Sequence, residues 1–272
     1  MRVPEPKVYV GGAKWGRKEW VGLIYPDKTR DIDFLEHYAR HFNGIELNAT
    51  YYQIYPEAIL GKWAEKARGR DFKFCPKISK FISQSDLSSR KTELLTDEFL
   101  KGITAFGTNL GPVFLQLSEG YGPERKEQLL VYLEKLPKDI RFFLEVRHRQ
   151  WFSDPEIRSW LFSHLTRLAV GAVITDTAGR RDCVHQEITT PETFIRFVGN
   201  GLHPTDYARV DAWAVRISQW LDKGLKEVHF YTHQPNELYT PEMNDYVVRT
   251  FNKVCGLQLD PPSFVPKTGS LF

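Results

Sequence analysis

Charged side chains stand inside several short hydrophobic segments of this 272-residue sequence. Glu46 and Glu145 each lie between two aliphatic residues, and Lys77, Arg147 and Arg196 each follow an apolar residue. Carboxylates can exchange protons, whereas Lys and Arg bind phosphates and carboxylates, Arg through two parallel hydrogen bonds. These five residues together predict a site for a phosphorylated or other anionic small molecule.

The segments that must position these residues are eight β-like runs along the chain, which begin at residues 8, 44, 72, 112, 141, 171, 194 and 227. Between most of them lies a stretch with helical periodicity. Strand and helix in alternation require parallel strands, and eight such units predict an α/β fold: a single-domain (β/α)8 barrel of the TIM type. The sixth crossover, residues 179–192, has no helical stripe and is expected to be irregular. An open doubly wound sheet is the alternative, although the sequence has no GxGxxG turn or P-loop.

Alternation along each strand separates the residues that face the helices from those that point into the barrel. Barrel interiors normally hold Val, Ile and Leu. Here the inward set is instead largely polar: Glu46, Asn48, Cys75, Lys77, Phe114, Gln116, Glu145, Arg147, Arg196, His229, Tyr231 and His233. Such a set indicates a ligand site at the carboxyl ends of the strands, where barrel enzymes place theirs; a structural salt-bridge network is the alternative.

We assign roles to these side chains by their chemistry. Glu46 and Glu145 are the predicted catalytic acid, base or hydroxyl ligands. The predicted substrate-binding residues are Arg147, Arg196 and Lys77 for the anion, Asn48 and Gln116 for orientation, Trp15, Tyr51 and Tyr52 for the pocket wall, and also Asp176 and His229. Cys75 is expected to be a small core residue rather than a nucleophile. No cofactor and no bound metal are predicted, although a metal-dependent hydrolase or isomerase is an alternative that could use Glu46, Glu145, Asp176, His229 and His233.

Composition narrows the class of protein. The formal net charge is +3, which permits nucleic-acid binding without arguing for it. The three cysteines are isolated, which is typical of a reducing compartment and excludes a cysteine-based zinc site. No apolar leader and no run of eighteen apolar residues is present. The sequence therefore predicts a soluble, cytoplasmic protein that does not bind membranes.

Four segments resemble motifs of one family in the same order. They are GGAKWGRKEWVGLIYP, IELNATYYQIYP, GPVFLQL and FFLEVRHRQW. These resemble the blocks of the YecE-like family, the domain of unknown function numbered 72, from about Val8 to about Phe251. The resemblance implies a TIM-barrel fold and supplies no activity.

Two places depart from the family pattern. Many members have R-x-H-G where this chain has Arg196-Phe197-Val198-Gly199, and many have an asparagine pair where this chain has HFYTHQPNE.

We expect an N-terminal extension (residues 1–7), one barrel domain (residues 8–256) and a loose C-terminal tail (residues 257–272). A nucleic-acid-binding protein is the alternative function, with loop aromatics stacking bases. The sequence leaves the oligomeric state open.

Overall fold

The structure, a computed structural model, describes residues 6–266. Most of the predicted N-terminal extension (residues 1–5) and the end of the predicted tail (residues 267–272) lie outside the described residues. Within residues 6–266, eight strands are present: β1 Lys7–Gly11, β2 Gly44–Leu47, β3 Lys73–Pro76, β4 Val113–Gln116, β5 Phe142–Glu145, β6 Gly171–Asp176, β7 Glu192–Val198 and β8 Glu227–His233. Each begins within about two residues of the start of a predicted run.

Ten α-helices lie between or after these strands in the same part of the chain. They are α1 Phe34–His41, α2 Ala49–Tyr52, α3 Glu57–Lys66, α4 Lys80–Ser83, α5 Arg90–Ile103, α6 Lys126–Lys135, α7 Gln150–Ser153, α8 Pro155–Leu168, α9 Pro204–Asp222 and α10 Thr240–Cys255. Helix α8 shows how local sequence sets a boundary: Pro155 fits its first turn, and the Asp154 carboxylate accepts hydrogen bonds from the N–H groups of Glu156 and Ile157. The sixth crossover holds a single short 3-10 turn, Arg181–Cys183, as its sequence predicts.

All paired strands are parallel, and they form two sheets. Six strands follow the order β1-β8-β7-β6-β5-β4, and β2 pairs with β3. Isolated contacts lie between the sheets: Glu46 N–H donates to the Gly12 carbonyl at 3.1 Å, and Ile78 N–H donates to the Phe114 carbonyl at 2.9 Å. The α/β fold with parallel strands is confirmed, but a closed eight-stranded barrel is not, because the sheet hydrogen bonding is not continuous around the ring.

Strands β1 and β2 approach each other through glycine. A Cβ atom on Gly11 would lie 2.0 Å from the Gly44 carbonyl oxygen, and a Cβ on Gly44 would meet the Tyr231 hydroxyl at 2.6 Å. Any side chain at either position would therefore force β1 and β2 apart. These two glycines allow the main chains of the two sheets to lie close together.

The core has two parts that follow the predicted alternation. Aliphatic and aromatic side chains pack between the strands and the helices, among them Ile45, Leu144 and Phe230. A separate apolar cluster is enclosed by the strands and takes one residue from each of β3 to β8: Cys75, Phe114, Phe143, Val173, Phe194 and Tyr231. Burial removes these side chains from water and is the main stabilising contribution to the fold. The polar inward residues lie on the same faces.

The described part of the predicted tail is attached to the domain. Residues 257–266 have no regular secondary structure. However, the Leu259 N–H donates to the Asn252 side chain at 2.9 Å, and the Val265 N–H donates to the Leu23 carbonyl at 2.8 Å. Leu257 and Leu259 also pack against the core. Up to residue 266 the tail therefore differs from the loose segment expected from its sequence.

Candidate functional site

Arg196 lies at the centre of a buried ion-pair network inside the strands. Its Nε and Nη2 donate to the two carboxylate oxygens of Glu46, both at 2.9 Å. Its Nη1 donates to Glu145 Oε2 at 2.9 Å. All three side chains are buried. One guanidinium thus binds two carboxylates from β2 and β5 across the enclosed space, and one of the two contacts is bidentate.

Each carboxylate has further partners toward the carboxyl ends of the strands. Arg147 Nε donates to Glu145 Oε1 at 2.8 Å. Asn48 Nδ2 donates to Glu46 Oε1 at 2.9 Å, and His233 Nε2 lies 2.9 Å from Glu46 Oε2. The predicted residues Glu46, Asn48, Glu145, Arg147 and Arg196 therefore lie together. We call Arg196, Glu46, Glu145 and Arg147 the Arg196 cluster.

Electrostatics keep the two carboxylates ionised. Burial opposes ionisation, but the Arg196 guanidinium and His233 hold the pKa of Glu46 well below its usual value. Burial likewise opposes ionisation of Glu145, but the charges of Arg196 and Arg147 outweigh it, so the pKa of Glu145 is lowered. Conversely, the two carboxylates raise the pKa of Arg196 despite its burial. These groups form a fixed pattern of charge near neutral pH.

Lys77 lies beside the Arg196 cluster but takes no part in its ion pairs. Its side chain is buried, with 8% of the residue exposed, and its Nζ lies 4.2 Å from the centre of the Tyr51 ring. No carboxylate of residues 6–266 lies within 4.0 Å of this ammonium. Burial first, and the positive charge of Arg196 second, lower the pKa of Lys77 to about 8. The protonation of Lys77 thus changes near pH 8.

The backbone around Lys77 is held in place by its neighbours. Its N–H donates to the Leu47 carbonyl at 3.2 Å, and the Thr50 hydroxyl donates to the Lys77 carbonyl at 2.8 Å. Position 77 also forms a parallel bridge with Phe114 of β4. These backbone contacts therefore fix the position from which the Lys77 side chain extends.

Two buried polar atoms in the same layer have no hydrogen-bond partner within the described chain: Gln116 Oε1 and Thr175 Oγ1. Gln116 is in register with Glu145, and Thr175 is in register with Arg196. A buried polar atom without a partner costs free energy, so both are available to a ligand or to water. Gln116 is one of the substrate-binding residues predicted from the sequence. Thr175 was missed, because every residue from Gly171 to Asp176 is buried and the segment shows no alternation.

The predicted aromatic wall is only partly assembled. Tyr51 is half-buried and covers Lys77. Tyr52 packs edge-on against Tyr51 but is 64% exposed. Trp15 packs against Trp63 at 5.1 Å, on the periphery of the core outside the strands. Of the three predicted wall residues, Tyr51 alone contacts a charged group of the site.

Asp176 does not join the site. Its register partner is Phe197, whose side chain packs outward, and its carboxylate accepts hydrogen bonds from Arg209 at 3.0 Å and Trp213 at 2.8 Å. It also pairs with Arg181. Asp176 therefore faces helix α9, and its hydrogen bonds connect that helix to β6. The inward residue at this place is Thr175, so Asp176 is not grouped with the other predicted substrate-binding residues.

His229 is also placed away from the Arg196 cluster. It points inward as predicted, but it is in register with Tyr9 and Phe194, below the level of Arg196. It stacks on Tyr9 at 5.0 Å, and its Nε2 lies 2.7 Å from Glu227 Oε1 at the start of β8. Alternation identified its face but not its height along the strand. His229 therefore lies at a different level from the predicted residues at the carboxyl ends of the strands.

Glu227 and His229, with Glu192, form a second polar group at the amino ends of the strands. One ligand atom from each lies within 4.8 Å of the others, close enough to share a metal ion. Arg141 Nη1 donates to Glu192 and Glu227 at 2.8 and 2.7 Å. The guanidinium already supplies the positive charge at this place. Of the metal ligands considered from sequence, His233 lies beside Glu46, whereas Asp176 and His229 lie apart from Glu46 and Glu145.

A surface cavity of about 540 Å³ adjoins the strand ends between the loops after β5 and β6. Arg149, Arg158, Arg181 and His185 are among its lining residues. Arg158 pairs with Glu187 at 2.6 Å, and Arg181 pairs with Asp176 at 2.5 Å. Arg180 Nη2 from the same loop donates to the Arg147 carbonyl at 2.6 Å. This contact links the cavity wall to the Arg196 cluster.

The fold and this network define a parallel α/β protein with a buried network of charged side chains at the strand ends. The sequence profile of the family described as "Protein of unknown function DUF72" matches residues 9–264. The chain belongs to this family, as its four motifs suggested. Within the described residues, no helix is both long enough and apolar enough to span a bilayer.

Individual relatives agree with this assignment. The chain is 28% identical to the UPF0759 protein YecE of Escherichia coli K12 over 283 aligned residues, which cover 97% of this chain and 100% of that protein. It is 29% identical to the UPF0759 protein YunF of Bacillus subtilis 168 over 156 residues, 54% of this chain and 53% of YunF.

Solved structures show the same fold. The crystal structure of a DUF72 family protein from Enterococcus faecalis V583 aligns with a TM-score of 0.69 and 19% identity, over 97% of this chain and 100% of that one. A DUF72 family protein from Thermotoga maritima MSB8 aligns with a TM-score of 0.67 and 20% identity, over 92% of this chain and 100% of that one. At these identities the likeness concerns the fold alone.

Proposed function

We propose that the eight strands act together as a TIM-type barrel and that their carboxyl ends bind a small molecule carrying a phosphate or carboxylate group. The observation that supports this most directly is the pair of cations at the strand ends. Lys77 has no carboxylate within 4.0 Å in the described chain, and Arg147 uses only its Nε, on Glu145. Both remain able to bind an anion.

The charge balance of the site favours the same ligand. Glu46 and Glu145 are matched by Arg196 and Arg147, so protonated Lys77 adds one positive charge without a counterion. A buried charge is costly unless it is paired. An anion bound between Arg147 and Lys77 would supply the missing negative charge.

The geometry changes the roles assigned from sequence. Most of the Arg196 N–H groups are taken by two carboxylates, so we assign Arg196 to positioning Glu46 and Glu145 rather than to anion binding. The lowered pKa values of both carboxyls favour anionic roles, such as hydroxyl binding or proton acceptance, over proton donation. Lys77, with a pKa near neutrality, becomes the candidate for proton exchange during an enzymatic reaction.

Arg147 provides the first test. We expect Arg147→Lys to weaken binding of inorganic phosphate or pyrophosphate about as much as Arg147→Ala, because Lys loses the planar two-point contact. Stability should change little, since the Arg147 side chain is 32% exposed and Glu145 keeps Arg196. Isothermal titration calorimetry measures the affinity, and urea unfolding measures the stability. If both variants unfold and binding by the folded fraction is unchanged, the ion pair between Arg147 and Glu145 is structural.

Proton uptake provides the second test. An anion next to Lys77 raises its pKa again, so binding at about pH 8.5, above the free-state pKa of about 8, should take up a fraction of a proton. The charged groups that act on Lys77 are Glu46, Glu145, Arg147 and Arg196. Calorimetry in two buffers of different ionisation enthalpy measures the uptake. Binding with no proton uptake, or equal uptake in Lys77→Met, would place the anion away from Lys77.

The nucleic-acid alternative predicts a different salt dependence. A single bound anion gives a shallow slope of log affinity against log salt, whereas many phosphate contacts give a slope of several units. A fluorescent single-stranded oligonucleotide titrated at several salt concentrations makes the comparison. A steep slope that Arg149→Ala and Arg158→Ala reduce would favour nucleic acid in the 540 Å³ surface cavity.

A further inference from the structure

We propose that Lys77 is a nucleophile whose amine condenses with an aldehyde or ketone group of the bound molecule to form an imine. The substrate class would then be a carbonyl compound that also carries a phosphate or carboxylate. This inference rests on the proposed function for the anionic part of the ligand, and it adds the chemistry of the reacting part.

The first support is the isolation of the Lys77 amine inside the protein. Its carbon chain is buried, its Nζ faces the Tyr51 ring at 4.2 Å, and the Phe114 ring centre is 5.9 Å away. A lysine that serves stability at such a place is normally paired with a carboxylate. Here the two nearby carboxylates are held by Arg196, so neither forms an ion pair that would favour the protonated form of Lys77.

The second support is the fraction of neutral amine. With a pKa of about 8, roughly one quarter of Lys77 is neutral at about pH 7.5, whereas an ordinary lysine is neutral on the order of 0.1% of the time. Only the neutral amine attacks a carbonyl carbon, and burial next to another cation is a known way to produce it.

The third support is the surroundings of the product. The amine lone pair forms the bond to the carbonyl carbon, the C=O π pair moves to oxygen, and proton transfers convert that oxygen to water, which leaves. A cationic, protonated imine remains on Lys77. Glu46 and Glu145 stay ionised in the same layer and stabilise this cation, and the free Gln116 Oε1 can accept a hydrogen bond from a substrate hydroxyl or from the departing water.

Reductive trapping tests the proposal on the intact chain. The protein is incubated at about pH 7.5 with glycolaldehyde phosphate and sodium cyanoborohydride, which reduces an imine to a stable amine. Each adduct adds the mass of the probe less one oxygen atom, and peptide mass spectrometry locates it. We expect Lys77 to be labelled at least about tenfold faster than Lys80, three residues further on and more exposed.

The pH profile and the variants complete the test. Labelling of Lys77 should level off above its pKa of about 8, whereas labelling of a model peptide with one free lysine should keep rising to about pH 10. Lys77→Arg keeps the charge but cannot form an imine, so it should lose the preferred adduct; Lys80→Met should keep it. Labelling spread evenly over the surface lysines, or no label on Lys77, overturns the proposal.

Glycolaldehyde without the phosphate separates this proposal from the anion site. If both aldehydes label Lys77 equally and Arg147→Ala changes neither rate, the imine stands and the anion site fails. If glycolaldehyde phosphate binds reversibly in calorimetry but leaves no adduct after reduction, the anion site stands and the imine fails. We expect the phosphorylated probe to react at least about tenfold faster at low concentration, with Arg147→Ala removing the difference.

Discussion

Arg196→Met should destabilise the protein by about 3–5 kcal/mol at pH 7, because it leaves two buried carboxylates without their shared cation. Glu46 would keep only Asn48 and His233, and Glu145 would keep only Arg147. Urea unfolding followed by circular dichroism gives the free energy of unfolding. Arg249→Met is the matched control, since it removes an exposed Arg–Asp pair and should change stability little.

The pH dependence identifies the carboxylates as the cause of this loss. Their pKa values are lowered in the folded wild type, so the stability they contribute is present above the unfolded value of about 4.3 and is lost as pH falls through the folded values. The gap between wild type and Arg196→Met should therefore narrow in acid. Adding Glu46→Gln and Glu145→Gln to Arg196→Met should recover part of the loss at pH 7. A gap that stays constant with pH would argue that lost packing, rather than charge, destabilises the variant.

The parts of this site that could be predicted from sequence are those where hydrophobic residues alternate with polar ones. On β5, Glu145 follows Leu144 and precedes Val146, so the alternation by itself indicates that its side chain points inward. On β6 every residue is buried on both faces, so periodicity cannot distinguish Thr175 from Asp176. The carboxylate of Asp176 instead serves helix α9, through Arg209 and Trp213.

The height of a residue along its strand and the approach of the two sheets are set by contacts distant in sequence. His229 has the predicted direction, but its level follows from pairing with Tyr9, 220 residues earlier in the chain. The meeting of β1 with β2 depends on the empty space at Gly11 and Gly44, which no pattern of period two reveals. Likewise, three cations predicted from sequence as equivalent anion ligands differ in the structure, because Arg196 is enclosed by carboxylates and Lys77 is not.

Lys77→Met should make the protein more stable at pH 7, by up to about 3 kcal/mol, while removing the proposed imine and proton uptake. The pKa of Lys77 is lowered from 10.5 to about 8 by folding, and each unit corresponds to about 1.4 kcal/mol. Burying the ammonium beside Arg196 therefore costs free energy at pH 7, although Glu46 and Glu145 offset part of it. Methionine has a similar shape and carries no charge.

The sign of the pH dependence follows from the proton count. Between about pH 8 and 10.5 the unfolded chain holds a proton on Lys77 that the folded chain has lost, so wild-type stability gains from this group as pH rises through that window. Lys77→Met lacks this gain, and its advantage should shrink toward zero by about pH 10.5. Urea unfolding of both proteins at matched pH gives the difference curve. If Lys77→Met is instead less stable at every pH, then the Lys77 ammonium stabilises the fold, its pKa is not lowered, and an amine poised for chemistry at this place is ruled out.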